Sequence, residues 1–128
     1  MVTLHALATV ALGGALGAAL RLLAGAWAVR ALGTGFPWGT LGVNVLGSFA
    51  MGAAAALVLE RYPDASAVVR NLLMTGVLGG FTTFSTFSLD ALMLMEKGRI
   101  AAAAAYVGGS VTLSILALWA GLALARSL

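Results

Sequence analysis

Cysteine is absent from the 128 residues, which excludes disulfides, thiolate metal sites and cysteine nucleophiles. Charge is nearly as scarce. Asp, Glu, Lys and Arg make up 9% of the chain, against about 25% in an ordinary soluble domain, so a water-facing surface cannot be built from it. Histidine occurs once, as His5. A triad of His5, Ser85 and Asp90 would have to bring a terminal histidine to two residues that no spacing places beside it, and the chain reads as a non-enzyme. The charge that exists is basic, seven Lys and Arg against four acids for a net +3, with no cluster of the kind that binds nucleic acid. It reads as charge flanking membrane spans.

What is abundant is apolar sequence, 62% of the chain. A bilayer core of about 30 Å takes about 20 helical residues, and four runs of that order emerge. The first covers about Leu4 to Val29, interrupted by Arg21 and followed by Arg30 and the turn-forming Gly33, Thr34, Gly35, Phe36 and Pro37. The second covers about Trp38 to Leu59, the third about Val68 to Met95 and the fourth about Ile100 to Ala125. Glu60 to Asp64 and Glu96 to Arg99 separate them. A cleaved signal peptide would carry a positive n-region and an apolar core of roughly 7 to 15 residues. No Lys or Arg precedes Arg21, so the first run is read as a permanent span. The expected fold class is an all-α membrane protein, a single four-helix domain over residues 1–128, multi-pass in the cell membrane with the lipid bilayer as its surroundings.

Orientation follows Lys and Arg in the loops. Arg61, Arg70 and Arg126 fall on the side of the N-terminus, Arg30, Lys97 and Arg99 on the other. That balance permits insertion both ways and an antiparallel, dual-topology homodimer; a small number of charges giving a tie by chance explains it equally.

Polar groups inside a span are costly and mark the places to look for function. The third run is the densest: Gly79 and Gly80, then Thr82, Thr83, Ser85, Thr86 and Ser88, with Phe81, Phe84 and Phe87 interleaved. Paired glycines followed by paired threonines are poor uninterrupted helix, so this helix is expected to break near its middle. Irregular backbone at that depth survives only where it is buried in protein or lines water; the freed carbonyls suit a hard cation and the new helix start suits an anion. A straight helix using the same small residues for close packing remains open. In the second run Asn44 stands out, since its amide can donate two hydrogen bonds to an anion or join two helices. Gly39, Thr40, Gly47 and Ser48 around it allow close helix approach. In the fourth, Tyr106, Ser110 and Ser114 recur every four residues, which puts three hydroxyls on one face; they form a donor ladder or bond back to their own helix. Phe84 and Phe87, three apart, present ring edges that favour an anion or simply pack.

Taken together, these segments resemble the Fluc/CrcB fluoride channel family over the whole chain. The resemblance rests on Gly13, Gly14, Gly17, Ala18 and Arg21 in the first span, Gly39, Thr40, Asn44, Gly47 and Ser48 in the second, Gly79 through Phe87 in the third, and the Tyr106, Ser110, Ser114 ladder. It implies an antiparallel dual-topology homodimer with two pores that passively export fluoride and protect the cell from it. Asn44, Phe84, Phe87, Thr40 and the ladder would line the ion path, and Arg21 would sit in an aqueous vestibule. It further implies a structural sodium ion at the dimer interface, held by backbone carbonyls of Gly79 and Thr82 from both copies.

Two rivals share the outline. A small proton-coupled multidrug exporter would need a buried carboxylate in the first span, and residues 4–29 contain none. A noncatalytic membrane scaffold would use the small residues for packing alone.

Overall fold

The computed structural model describes residues 1–128 and is all-helical. Four helical stretches are long and apolar enough to cross a membrane: Leu4–Leu32, Trp38–Arg61, Ala67–Glu96 and Ile100–Ser127. Each runs a few residues beyond the expected limits. The first, α1 (Leu4–Leu32), has 29 residues, about 43 Å at 1.5 Å per residue. That exceeds the hydrocarbon thickness, so its ends reach the headgroup layers or the helix tilts. The second is α2 (Trp38–Arg61), and the third is made of α3 (67–81) and α4 (Phe84–Glu96). The fourth is α5 (Ile100–Ser127).

Local chemistry sets the ends. The Thr3 hydroxyl accepts the Ala6 N–H at 3.1 Å to start α1, and Ser66 does the same for Val69 at 3.4 Å to start α3, the usual N-cap device. Gly33 (φ 81°) ends α1 and Gly98 (φ 74°) makes the tight turn between α4 and α5; both are left-handed positions that glycine adopts without strain. Two stretches, Ala55–Arg61 in α2 and Asn71–Leu78 in α3, are wound more loosely, with bonds spanning five residues. The Tyr62 N–H to Leu57 carbonyl bond at 3.0 Å closes the first of them.

Glycine decides which helices touch. On α1, Gly13 and Gly17 lie against the α3 backbone at Leu72, Gly76 and Val77, and Gly80 of α3 lies against Gly14. On α2, Gly52 meets the Leu118 carbonyl of α5, and Gly121 of α5 meets the Phe49 carbonyl of α2. With lipid tails as apolar as leucine, such close approach is what drives helices together in a membrane. The result is two tightly docked pairs, α1 with α3 and α2 with α5. A small apolar cluster of Phe87, Ala91 and Leu94 from α4 with Ala103 and Tyr106 from α5 closes one end, with Phe36 laid over it. At the other end Arg126 of α5 makes a two-pronged ion pair with Glu60 of α2, at 2.9 and 2.5 Å. Leu12, Leu16, Leu23, Trp27, Ile115 and Trp119 are exposed, as lipid-facing side chains must be.

Gly52→Ala drives a methyl group into the Leu118 carbonyl, whereas Gly108→Ala on α5 meets nothing within 4 Å. Overpacking of this kind costs about 1–3 kcal/mol. Thermal unfolding in detergent should show Gly52→Ala melting several degrees below the parent and Gly108→Ala level with it or above; equal melting of the two would dismiss the α2–α5 contact as a determinant.

Candidate functional site

Between α3 and α4 the backbone leaves the helix for two residues: Thr82 (φ −84°, ψ 159°) and Thr83 (φ −155°, ψ 122°) are extended. The groups this exposes are taken up individually. Thr82 returns both its N–H (3.1 Å) and its hydroxyl (3.0 Å) to the Leu78 carbonyl. Thr83 is held by the side chain of Asn44 on α2: its N–H donates to Asn44 Oδ1 at 2.8 Å, and its carbonyl accepts from Asn44 Nδ2 at 3.0 Å. The Thr83 hydroxyl caps α4 by accepting the Thr86 N–H at 3.2 Å and donating to Thr86 Oγ1 at 3.1 Å. The positive end of a 13-residue helix therefore starts within the third span beside the Asn44 amide, and such an end favours an anion.

Two cavities meet at this point. One, of about 300 Å³, is lined by Asn44, Ser48 and Met51 of α2, by Phe84 and Phe87 of α4, and by Ser110 and Ser114 of α5, with Thr82 and Thr83 in its wall. No charged side chain lines it. The other, of about 690 Å³, runs along α1 past Arg21 and Arg30 and is closed by Thr40, Thr83 and Thr86. Thr83 lines both, so the Asn44–Thr83 pair is the partition between them.

The expected residues thus divide. Asn44, Phe84, Phe87, Ser110 and Ser114 share the first cavity, while Thr40 and Arg21 lie in the second. Asn44 spends one of its two amide hydrogens and its oxygen on Thr83, so it joins helices and keeps a single donor free. Ser110 is buried, and its hydroxyl is the one buried side-chain polar atom without a hydrogen-bond partner. A native buried hydroxyl left in this state calls for a ligand or water. Phe84 and Phe87 are neighbours, centroids 5.5 Å apart, and Phe87 stacks on Tyr106 at 5.2 Å. Phe87 is buried but Phe84 is 78% exposed, so its outer face is left for lipid or a second chain. Tyr106 lines neither cavity: its hydroxyl donates to Asp90 Oδ2 at 3.1 Å, with Thr40 alongside. Arg21 reaches the Thr82 carbonyl at 3.5 Å. Gly79 is exposed and lines neither cavity.

Sequence reasoning missed the Asp90–Tyr106 bond, Thr83 as the shared wall, and Met51, Thr86 and Arg30 as lining residues. Only the first left a signal, an acid inside a span; the others depend on which helix faces which.

The fold and site define a multi-pass α-helical membrane protein with an uncharged, open cavity between its helices that carries several hydrogen-bond donors. Residues 8–122 match the family described as CrcB-like protein, Camphor Resistance (CrcB), and the chain belongs to that family. It is 54% identical over 119 residues to a protein of Rhizobium etli named fluoride-specific ion channel FluC, covering 93% of this chain and 94% of that one. Proteins of the same name from Chelativorans (55% over 125 residues, 98% and 99% covered) and Agrobacterium fabrum (52% over 122 residues, 95% and 97% covered) are similarly close.

Asn44→Ala strips partners from both the N–H and the carbonyl of Thr83. An unsatisfied buried group costs about 1–3 kcal/mol, so the variant should lose about 2 kcal/mol in chemical denaturation. Asn44→Asp, which keeps the acceptor for the Thr83 N–H, should fall between it and the parent. Unchanged stability in Asn44→Ala would mean that the pair does not hold the extended segment.

Proposed function

We propose that the protein is a fluoride-selective passive channel that lets fluoride leave the cell and so protects against its toxicity. The observation that carries this reading is the unpartnered, buried Ser110 hydroxyl facing a cavity whose other polar lining is also neutral donors. A small hard anion sheds its water only where closely placed donors replace it. The free Asn44 amide hydrogen, the Ser110 and Ser114 hydroxyls, and the ring edges of Phe84 and Phe87 supply such groups. A lining without a full positive charge binds weakly enough for the ion to move on, and chloride, larger and more polarizable, fits the same donors poorly. The names of the close relatives support the same substrate.

In this reading the working unit is an antiparallel homodimer, with Thr82 and Thr83 as the functional break of the third span. The exposed Phe84 and Gly79 suit a face covered by the second copy. Arg21 and Thr40 belong to the vestibule and the entry to the path, and Tyr106 heads the ladder with its ring stacked on Phe87 and its hydroxyl hydrogen given to Asp90. A structural sodium ion at the interface is compatible with the residues present. Because the Thr83 N–H goes to Asn44, the Gly79 carbonyl lacks its helical donor, and the Thr82 carbonyl accepts only the long bond from Arg21. Neutral carbonyl oxygens suit a hard cation, and no carboxylate, histidine or cysteine cluster offers another site. Gly79 and Thr82 of two copies would supply four oxygens; bound there, sodium would offset the repulsion between carbonyl dipoles facing each other across the interface.

The test is efflux from potassium-loaded proteoliposomes, triggered by valinomycin and followed with fluoride and chloride electrodes in parallel. The parent should release fluoride and retain chloride, and the double variant Phe84→Leu, Phe87→Leu should lose at least tenfold of the fluoride rate while eluting at the parent's size. Ser110→Ala should slow efflux by a smaller factor. Fluoride release unchanged in the double variant, or no release from well-folded parent protein, would sink the assignment.

A further inference from the structure

Seven basic side chains occur in the chain, and most of them are occupied. Arg126 pairs with Glu60, and Arg21, Arg70 and Arg99 donate to the carbonyls of Thr82, Pro63 and Gly35. Arg30, Arg61 and Lys97 have no partner. Of these three only Arg30 lines a large cavity, and it is the one that also holds Arg21. Arg30 stands in the last turn of α1, nine residues and about 13 Å of helix rise beyond Arg21, toward the membrane surface. No carboxylate lines that cavity. The nearest acid of the same region, Asp90, belongs to a smaller adjoining cavity and accepts the Tyr106 hydroxyl.

We infer that Arg30 is a conduction-determining residue: the outer element of a two-stage electrostatic funnel that concentrates small anions at the vestibule mouth and passes them to Arg21. This rests on the channel reading and adds to it where the rate of anion entry is set. Arg30 is exposed, so its effect is one of potential, without a fixed ligand geometry. A unit charge about 5–10 Å from a passing ion, in an environment near water, changes local anion concentration by about two- to fourfold. That effect reaches about 30 Å at an ionic strength of about 0.01 M and about 3 Å at about 1 M, which separates it from packing.

The experiment compares fluoride efflux through the parent, Arg30→Gln and Arg30→Lys in proteoliposomes. Fluoride is kept low so that entry limits the rate, and ionic strength is set at about 0.01 M or about 1 M with a large, impermeant anion. Arg30→Gln should run about two- to fourfold slower than the parent at low ionic strength and match it at high, and Arg30→Lys should match the parent at both. Equal rates for Arg30→Gln and the parent at low ionic strength, or a deficit that persists at high, would overturn the funnel; the persistent deficit would assign Arg30 a structural role. Fluoride flux absent from the parent at both ionic strengths would instead overturn the channel reading, and this proposal with it.

Discussion

The reciprocal bond pair between Asn44 and the Thr83 backbone is the interaction on which the rest of the site depends. At membrane depth lipid cannot satisfy an opened peptide group. Two extended residues in the third span are therefore tolerable only if their N–H and carbonyl groups find partners within the protein or line a water-filled cavity. One primary amide does this for Thr83, using its oxygen and one hydrogen. The second amide hydrogen remains without a partner, and Asn44 lines the same cavity as Ser110. A single side chain thus holds the backbone open and contributes a donor to the space that the opening creates.

Everything around that pair is arranged by the absence of side chains. Glycines at 13, 17, 52 and 121 let α1 approach α3 and α2 approach α5 at backbone contact. The start of α4 is left between the pairs, flanked by a cavity on either side. The two cavities differ in character for a physical reason. The one holding Arg21 and Arg30 is wide and positively charged, suited to gathering anions from solution. The one holding Ser110 and the phenylalanines is smaller and uncharged, suited to replacing an anion's water without trapping it. Thr83 lines both, and in the proposed channel passage between them would go by it.

The rival readings meet the same geometry. A proton-coupled exporter would want a carboxylate inside a substrate cavity; Asp90, the acid farthest from a span's end, has an oxygen committed to Tyr106 and lies outside both main cavities. A scaffold would have no use for a buried hydroxyl without a partner.

Much of this was legible in the residues themselves. The four spans followed from apolar run length and from the near absence of charge, because the bilayer's thickness and dielectric leave few other solutions. The Gly79–Thr83 segment stood out as poor helix for reasons of local backbone preference, and Ser110 and Ser114 fell on one face by helical period alone. What sequence could not decide was partnership. Asn44 read as an anion donor or as helix glue, the commoner use of a lone membrane Asn, and the structure has it joining helices with one amide hydrogen while leaving the other free. Tyr106 read as a ladder member on its period, but its hydroxyl is turned to Asp90, sixteen residues away in sequence. Arg30 read as flanking charge and lines the same cavity as Arg21. Length, hydropathy and period are properties of a single helix and are fixed before any helix meets another. Which donors are consumed and which are left over depends on distances between helices, and only the docked bundle sets those.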